Sequence, residues 1–300
     1  MNQFKKIYCF GVVMLMAAVF EQVIAQGEQN LLSLLGREET TEYAAASFKT
    51  NRVINLHSLE STSAGVLDIK ISHRFGFING GIYELFGLDQ ASIRIGADYG
   101  ITDRLTIGFG RSSYQKTYDG FIKYKLLRQS TGLKNMPITV AVLGTMAVTT
   151  LKWEDPNRDN LFSSRLYYTT QVIIGRKFSN GISFQLSPSF VHRNLVATFE
   201  EKNNVFALGF GGRVKLNKRL SINGEYIYVF PDQLAEGFRN SLSIGFDIET
   251  GGHVFQLHFT NSTSMIEKGF IAETVGKWSD GGIHFGFNIS RVFTLKQPKE

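Results

Sequence analysis

A period of two runs through most of the chain. In "GVLDIKISHRFG", residues 65 to 76, Leu67, Ile69, Ile71, His73 and Phe75 fall on one side of an extended backbone. Asp68, Lys70, Ser72 and Arg74 fall on the other. Segments of this kind, each about ten residues long, recur about twelve times between Gly65 and Leu295. Almost none carries the 3.6-residue period of an amphipathic helix, which argues against an α/β fold. Such strands fit two environments. In a soluble sheet the apolar face packs on a core, whereas in a membrane barrel it meets lipid and the charges line the interior.

The connections favour the barrel. "YGITDRL", "FSNGI", "LNKRL" and "ETGGH" are tight turns. "GFINGGIYELFGLDQ", "LKWEDPNRDN", "RNLVATFEEKNN", "PDQLAEGF" and "NSTSMIEKGFIAETVGKWSDG" are long. The two kinds nearly alternate, as in outer-membrane barrels with short periplasmic turns and long external loops. With the first wall strand at 66–75, an even strand number puts both mature termini in the periplasm. Two connections fit less well, since "SYQKTYDG" is short for an external loop and "QSTGLKNMP" is long for a turn. Aromatic residues near segment ends (Phe75, Tyr99, Tyr114, Tyr118, Phe178, Phe190, Phe230, Phe259 and Phe293) read as interfacial girdles. With 30 glycines, 25 phenylalanines and only 5 prolines, the composition suits long strands joined by tight turns. The fold expected is all-β: a transmembrane antiparallel up-and-down β-barrel of about twelve strands over residues 65–295. A β-sandwich with two facing apolar sheets is the soluble alternative.

The remaining segments differ in character. Residues 1–25 read as a signal peptide, with Lys5 and Lys6, the apolar run "IYCFGVVMLMAAVF", and "VIA" before Gln26. Cys9 is the only cysteine and lies in that leader, so the mature chain carries no disulfide or thiolate metal site. Residues 26–64 stay outside the wall, because counting "RVINLHSL" as a wall strand would break the parity. They plug the lumen, extend along the periplasmic mouth, or stay mobile. Residues 296–300 form a short tail. Residues 138–149 are apolar on both faces and alternate least. The formal charge of +6 is scattered without a basic stripe, which gives no support to a nucleic-acid partner.

"SFKTNRVINLHSLESTSAGVLDIKISHRFG" and "DQASIRIGADYGITDRLTIGFGRSSYQKTYDGFIKYKLLRQ" together resemble an uncharacterised family of membrane-bound β-barrel domains from Gram-negative bacteria. The specific elements are the pair "FKTNRVIN" and "ISHRFG" and the hairpin "YGITDRLTIGFGRS". The resemblance covers most of the mature chain in outline. It implies an outer-membrane barrel and no assigned activity, so no catalytic residue carries over.

Few motifs point to chemistry. "GFGGRV" at 209–214 lacks the third spaced glycine and the following helix of a phosphate loop. Glycines easing barrel curvature account for it better. No histidine pair has metal-ligand spacing on one element, although His258 and His284 fall inward on neighbouring strands. His73 shares an outward apolar face. Serines and histidines form no recognisable hydrolase constellation, and an outer-membrane hydrolase remains a second alternative. No enzyme activity and no cofactor are assigned. The inward register instead gathers Asp68, Lys70, Arg74, Arg94, Asp98, Lys123, Lys125, Arg165, Arg213, Glu225, Asp247, His258 and His284 as candidate lumen-lining residues. Cations outnumber carboxylates there. An open lumen would favour small anionic or polar solutes, with Lys123 and Lys125 as filter candidates. A closed structural or binding barrel would hold the same charges in a paired network. The partners expected are outer-membrane lipid and such a solute. Loop 261–281 either drops into the mouth as a constriction or stays solvated.

Overall fold

The computed structural model describes residues 40–296. Residues 1–25, where a signal peptide is expected, the first part of 26–64 and residues 297–300 lie outside the described residues. The strands are β1 (Thr41–Tyr43), β2 (Val66–Phe77), β3 (Ala91–Gly100), β4 (Leu105–Ser112), β5 (Thr117–Leu127), β6 (Ser130–Gly132) and β7 (Thr139–Thr149). They continue as β8 (Leu166–Lys177), β9 (Ile182–Arg193), β10 (Asn204–Lys215), β11 (Leu220–Val229), β12 (Ser241–Thr250), β13 (His253–Thr260) and β14 (His284–Thr294). Helix α1 spans Glu267–Ala272.

Twelve strands, β2 to β5 and β7 to β14, form one closed barrel. Each runs antiparallel to the next, and β14 returns to pair with β2, for example Ile289 opposite Ile71. Closure removes the unpaired edges that a sandwich would have to protect. The alternation read from the sequence is the in–out alternation of the wall. On β3, Ile93 and Ile95 are exposed outward while Arg94 and Asp98 are buried inward. Phe109 and Ile122 leave 61% and 60% of their surfaces outside, an arrangement that suits hydrocarbon rather than water. Tyr118, Phe178, Phe230, Phe259 and Phe293 are likewise exposed. His73 stacks outward on Phe287, their ring centroids 5.0 Å apart.

The long turn "QSTGLKNMP" has a structural use. It contains β6, which pairs antiparallel with β1 and so holds the stem of the N-terminal segment at the tight-turn mouth. From that stem, residues 47–60 enter the barrel as a narrow hairpin, closed by Val53 N donating to Leu56 O at 2.8 Å and Ser58 N donating to Asn51 O at 2.9 Å. Every residue from Ser47 to Leu59 is buried except the half-buried Lys49. The chain then turns out over Gly100, whose carbonyl accepts from Gly65 N at 2.8 Å, and starts β2. At the opposite mouth the β13–β14 connection folds inward, and residues 261–274, including α1, are almost wholly buried. For the described part of 26–64 and for 261–274, the structure has the lumen filled from both ends.

The apolar core therefore lies inside the barrel. Phe48, Val53, Leu56 and Leu59 of the hairpin meet Phe270, Ile271 and Ala272 of α1 against Ala141, Ile173, Val191, Val205, Ala207, Ile227 and Val229 of the wall. This explains the weak alternation of 138–149: β7 faces lipid with Val140 and Val142, turns Ala141 to this core and buries Leu143 on the same inner face.

Candidate functional site: the occluded lumen

The wall residues that hold the hairpin come from sequence-distant strands. Each points inward by simple alternation, and each finds a backbone or side-chain amide group that the hairpin cannot satisfy itself. Glu225 on β11 is the centre. Its carboxylate accepts from the successive N–H groups of Ile54 (3.2 Å), Asn55 (2.9 Å) and Leu56 (2.9 Å) at the hairpin tip. A tight turn aims consecutive N–H groups into one concavity, and a carboxylate fills it with charge-assisted hydrogen bonds. The tip carbonyls are also met. Gln256 donates to Val53 O at 2.5 Å and Asn288 to Ile54 O at 3.1 Å.

Cations hold the hairpin's sides. Arg74 donates to Asn55 Oδ1 at 2.7 Å, and Arg213 donates to Ala46 O at 2.7 Å and Ser47 O at 3.1 Å. Lys123, fully buried, donates to the carbonyls of Ser58 and Glu60. Gln185 donates to His57 O at 2.8 Å. The wall glycines of "GFGGRV" belong to the same fit. A Cβ built at Gly209 would stand 3.0 Å from Leu56 Cδ1, and one at Gly211 would stand 3.0 Å from Val53 Cγ2. These glycines admit the hairpin's side chains, a use more specific than easing curvature.

Two contacts tie the hairpin to the segment entering from the other mouth. Arg52 Nη1 lies 2.9 Å from Glu267 Oε1, and His57 Nε2 lies 3.4 Å from the same oxygen. Burial, then the Arg52 and Lys123 cations, push the His57 imidazole well below its ordinary range. Beside the hairpin, Lys70 bridges Asp98 at 2.5 Å and Asp68 at 2.7 Å, and Arg94 makes a two-pronged pair with Asp119. What space remains between Thr50, Arg52, Lys70, Gln256 and Asn288 is about 10 Å³, room for roughly one water.

The structure thus brings together most of the sequence-derived lumen set. Asp68, Lys70, Arg74, Arg94, Asp98, Lys123, Arg213, Glu225, Asp247, His258 and His284 are all buried inside. Two differ. Lys125 is only half-buried, at the tight-turn end of β5 where the ladder shifts register. Arg165 is not on a wall strand. It ends a short 3-10 turn at the long-loop mouth, its guanidinium 3.7 Å from the Trp153 ring, because β8 starts only at Leu166. His284 is bound through both ring nitrogens, to Phe75 O at 2.7 Å and Thr263 Oγ1 at 2.9 Å. Among the described residues no three His, Cys, Asp or Glu side chains are grouped to hold a metal ion. Sequence reading missed Asp119, Gln185, Gln256 and Asn288. All four obey the inward parity of their strands, with Asp119 among the first residues of β5, which begins at Thr117.

A closed antiparallel barrel with an apolar exterior and its charged side chains turned inward defines a membrane-bound β-barrel. The chain belongs to the family described as "Membrane bound beta barrel domain (DUF5777)", which matches residues 48–293 and so takes in the hairpin with the wall. No curated protein matches it significantly. Among solved structures, a NanC porin is similar at 9% identity and TM-score 0.47, covering 77% of this chain and all (100%) of its own. The outer-membrane protein Omp33 of Acinetobacter baumannii is similar at 7% identity and TM-score 0.39, over 76% of this chain and 97% of that one. A monoaromatic hydrocarbon channel, CymD, is similar at 9% identity and TM-score 0.37, over 79% and 90% respectively.

Proposed function

We propose that the protein is an outer-membrane barrel that provides a passage for small polar solutes, shut in the state described by its own hairpin and by the inserted 261–274 segment. Its termini and tight turns face the periplasm and its long loops face outward. The observation that carries this reading is the polar hold on the hairpin. Glu225, Lys123, Arg213, Arg74, Gln185, Gln256 and Asn288 all engage hairpin backbone or amide groups. With the hairpin withdrawn, each of these groups would face water in a twelve-strand lumen. Barrels of about eight strands are filled by side chains alone, and a wider ring encloses space that something else must occupy. The reading includes no catalytic step.

A second reading, a permanently closed binding barrel, is favoured by the apolar side of the interior, where the hairpin, α1 and the wall share one core. Single-channel recording in a planar bilayer separates the two. The intact protein is expected to be silent or to open rarely, and a chain lacking residues 47–60 is expected to conduct in stable steps. A folded variant lacking both residues 47–60 and residues 261–274 that stays silent would establish the closed barrel.

A further inference from the structure

A cavity of about 940 Å³ lies at the long-loop mouth, between the β7–β8 connection (residues 150–165) and the β9–β10 connection (residues 194–203). Its size is at the upper end of ordinary ligand pockets. Both connections run long on a mouth where the wall needs only a turn, and together they enclose a space that the closure of the lumen does not use.

The chemistry of its lining selects a ligand class. One lining carboxylate, Glu201, is paired with the buried Arg193 at 2.6 Å. Of the rest, Lys152, Arg158 and Arg165 are matched by Glu154, Asp155 and Asp159, so the formal charges cancel. Among the described residues none of these side chains takes part in an ion pair. A strongly anionic ligand would meet the carboxylates and a cationic one the guanidinium and ammonium groups. Hydrogen-bond donors and acceptors of both kinds are nonetheless present throughout.

The amides add acceptors in fixed positions. Asn160, Asn194 and Asn203 each use the side-chain NH₂ to hold the loops, donating to Asp155 O at 2.8 Å, Ser163 O at 2.7 Å and Arg193 O at 2.6 Å. Their side-chain oxygens receive no donor among the described residues. Trp153, one face braced by the Arg165 guanidinium at 3.7 Å, and Tyr167 of β8, one face under the Lys268 ammonium at 4.0 Å, bring aromatic rings to the same cavity. Neutral, dense in donors and acceptors, and offering C–H faces that stack on aromatic rings is a description of an oligosaccharide. We infer that this vestibule binds a short neutral oligosaccharide.

The inference names a solute class for the passage reading and rests on it for the direction of approach. Binding is measured in detergent without a bilayer, so a failure here leaves the conduction experiment untouched. The chain has two tryptophans, Trp153 and Trp278, and Trp278→Phe leaves the vestibule ring as sole reporter. Folded protein is titrated with maltotriose and chitotriose, and in parallel with trigalacturonate and inorganic phosphate. Titration calorimetry on the unaltered chain covers a reporter variant that fails to fold. The expected result is a saturable change in Trp153 emission with at least one neutral trisaccharide, weakened about tenfold in Asp159→Asn and lost from the calorimetric heat in Trp153→Ala. No saturable signal or heat from either neutral sugar overturns the assignment. Tighter binding of trigalacturonate or phosphate overturns it equally.

Discussion

The barrel's inner face has two unlike halves. From β7 to β11 the wall meets the inserted segments with Ala141, Ile173, Val191, Val205 and Ile227, and this side packs like the core of a soluble domain. Across β2 to β5 and β12 to β14 it presents Lys70, Arg74, Arg94, Asp98, Asp119, Lys123, Gln256 and Asn288, and this side works through hydrogen bonds and ion pairs. The hairpin packs its apolar side chains towards the first half, where Gln185, Arg213 and Glu225 also take its backbone groups, and meets mainly polar side chains across the second. Apolar burial supplies non-directional adhesion, whereas the buried polar groups define one register, because any shift leaves donors or acceptors unpaired. A closure that must seat in one position, and could leave it for water, suits this division.

Breaking the polar hold at its centre should have the largest effect. Glu225→Ala leaves the N–H groups of Ile54, Asn55 and Leu56 without their acceptor and is expected to destabilise the docked hairpin by about 4 kcal/mol. The readouts are protease cleavage within 47–60 and step frequency in the bilayer. On the apolar half, Leu56→Ala opens a cavity beside Gly209 and is expected to cost about 3 kcal/mol in the same protease assay. If Leu56→Ala exceeds Glu225→Ala, the apolar half dominates and the closed-barrel reading gains. Turning the comparison outward, Ile122→Arg places a charge on the lipid face and should lower barrel stability by about 2–3 kcal/mol in lipid vesicles, with much less change in detergent.

Smaller effects sharpen the division. Lys123→Met removes the donor to Ser58 O and Glu60 O, for an expected loss of about 1–2 kcal/mol in docking. His57 sets a pH direction. Its docked pKa is held well below 6.5, so a released hairpin takes up the proton first. Docking should be fully present above about 6.5 and weaken as pH falls below it, seen as faster cleavage at acidic pH. His57→Asn should flatten that dependence, and an unchanged profile would place the titrating group elsewhere.

Much of the wall was legible in advance because strand periodicity is local. Leu67, Ile69 and Ile71 against Asp68 and Lys70 announce their faces within a few residues, whatever the rest of the chain does. The long connection "QSTGLKNMP" and the doubly apolar 138–149 were visible as departures but not interpretable. Their causes, the β1–β6 stem and the interior core, involve residues remote in sequence. Lys125 and Arg165 lie at element ends, where a register shift and a 3-10 turn stop the alternation from carrying further.

The sequence by itself determined the strand number, the in–out register of nearly every wall position and the parity that brings both ends of the wall to one mouth. Those follow from the fixed two-residue pleat and from turn lengths. Only the tertiary structure decided what the lumen contains. Glu225 meets Ile54, Asn55 and Leu56 across 169 to 171 residues of chain, and Arg52 meets Glu267 across 215. Contacts at such separations leave no period in the sequence, because they exist only once the wall has closed and brought its inner face around the hairpin.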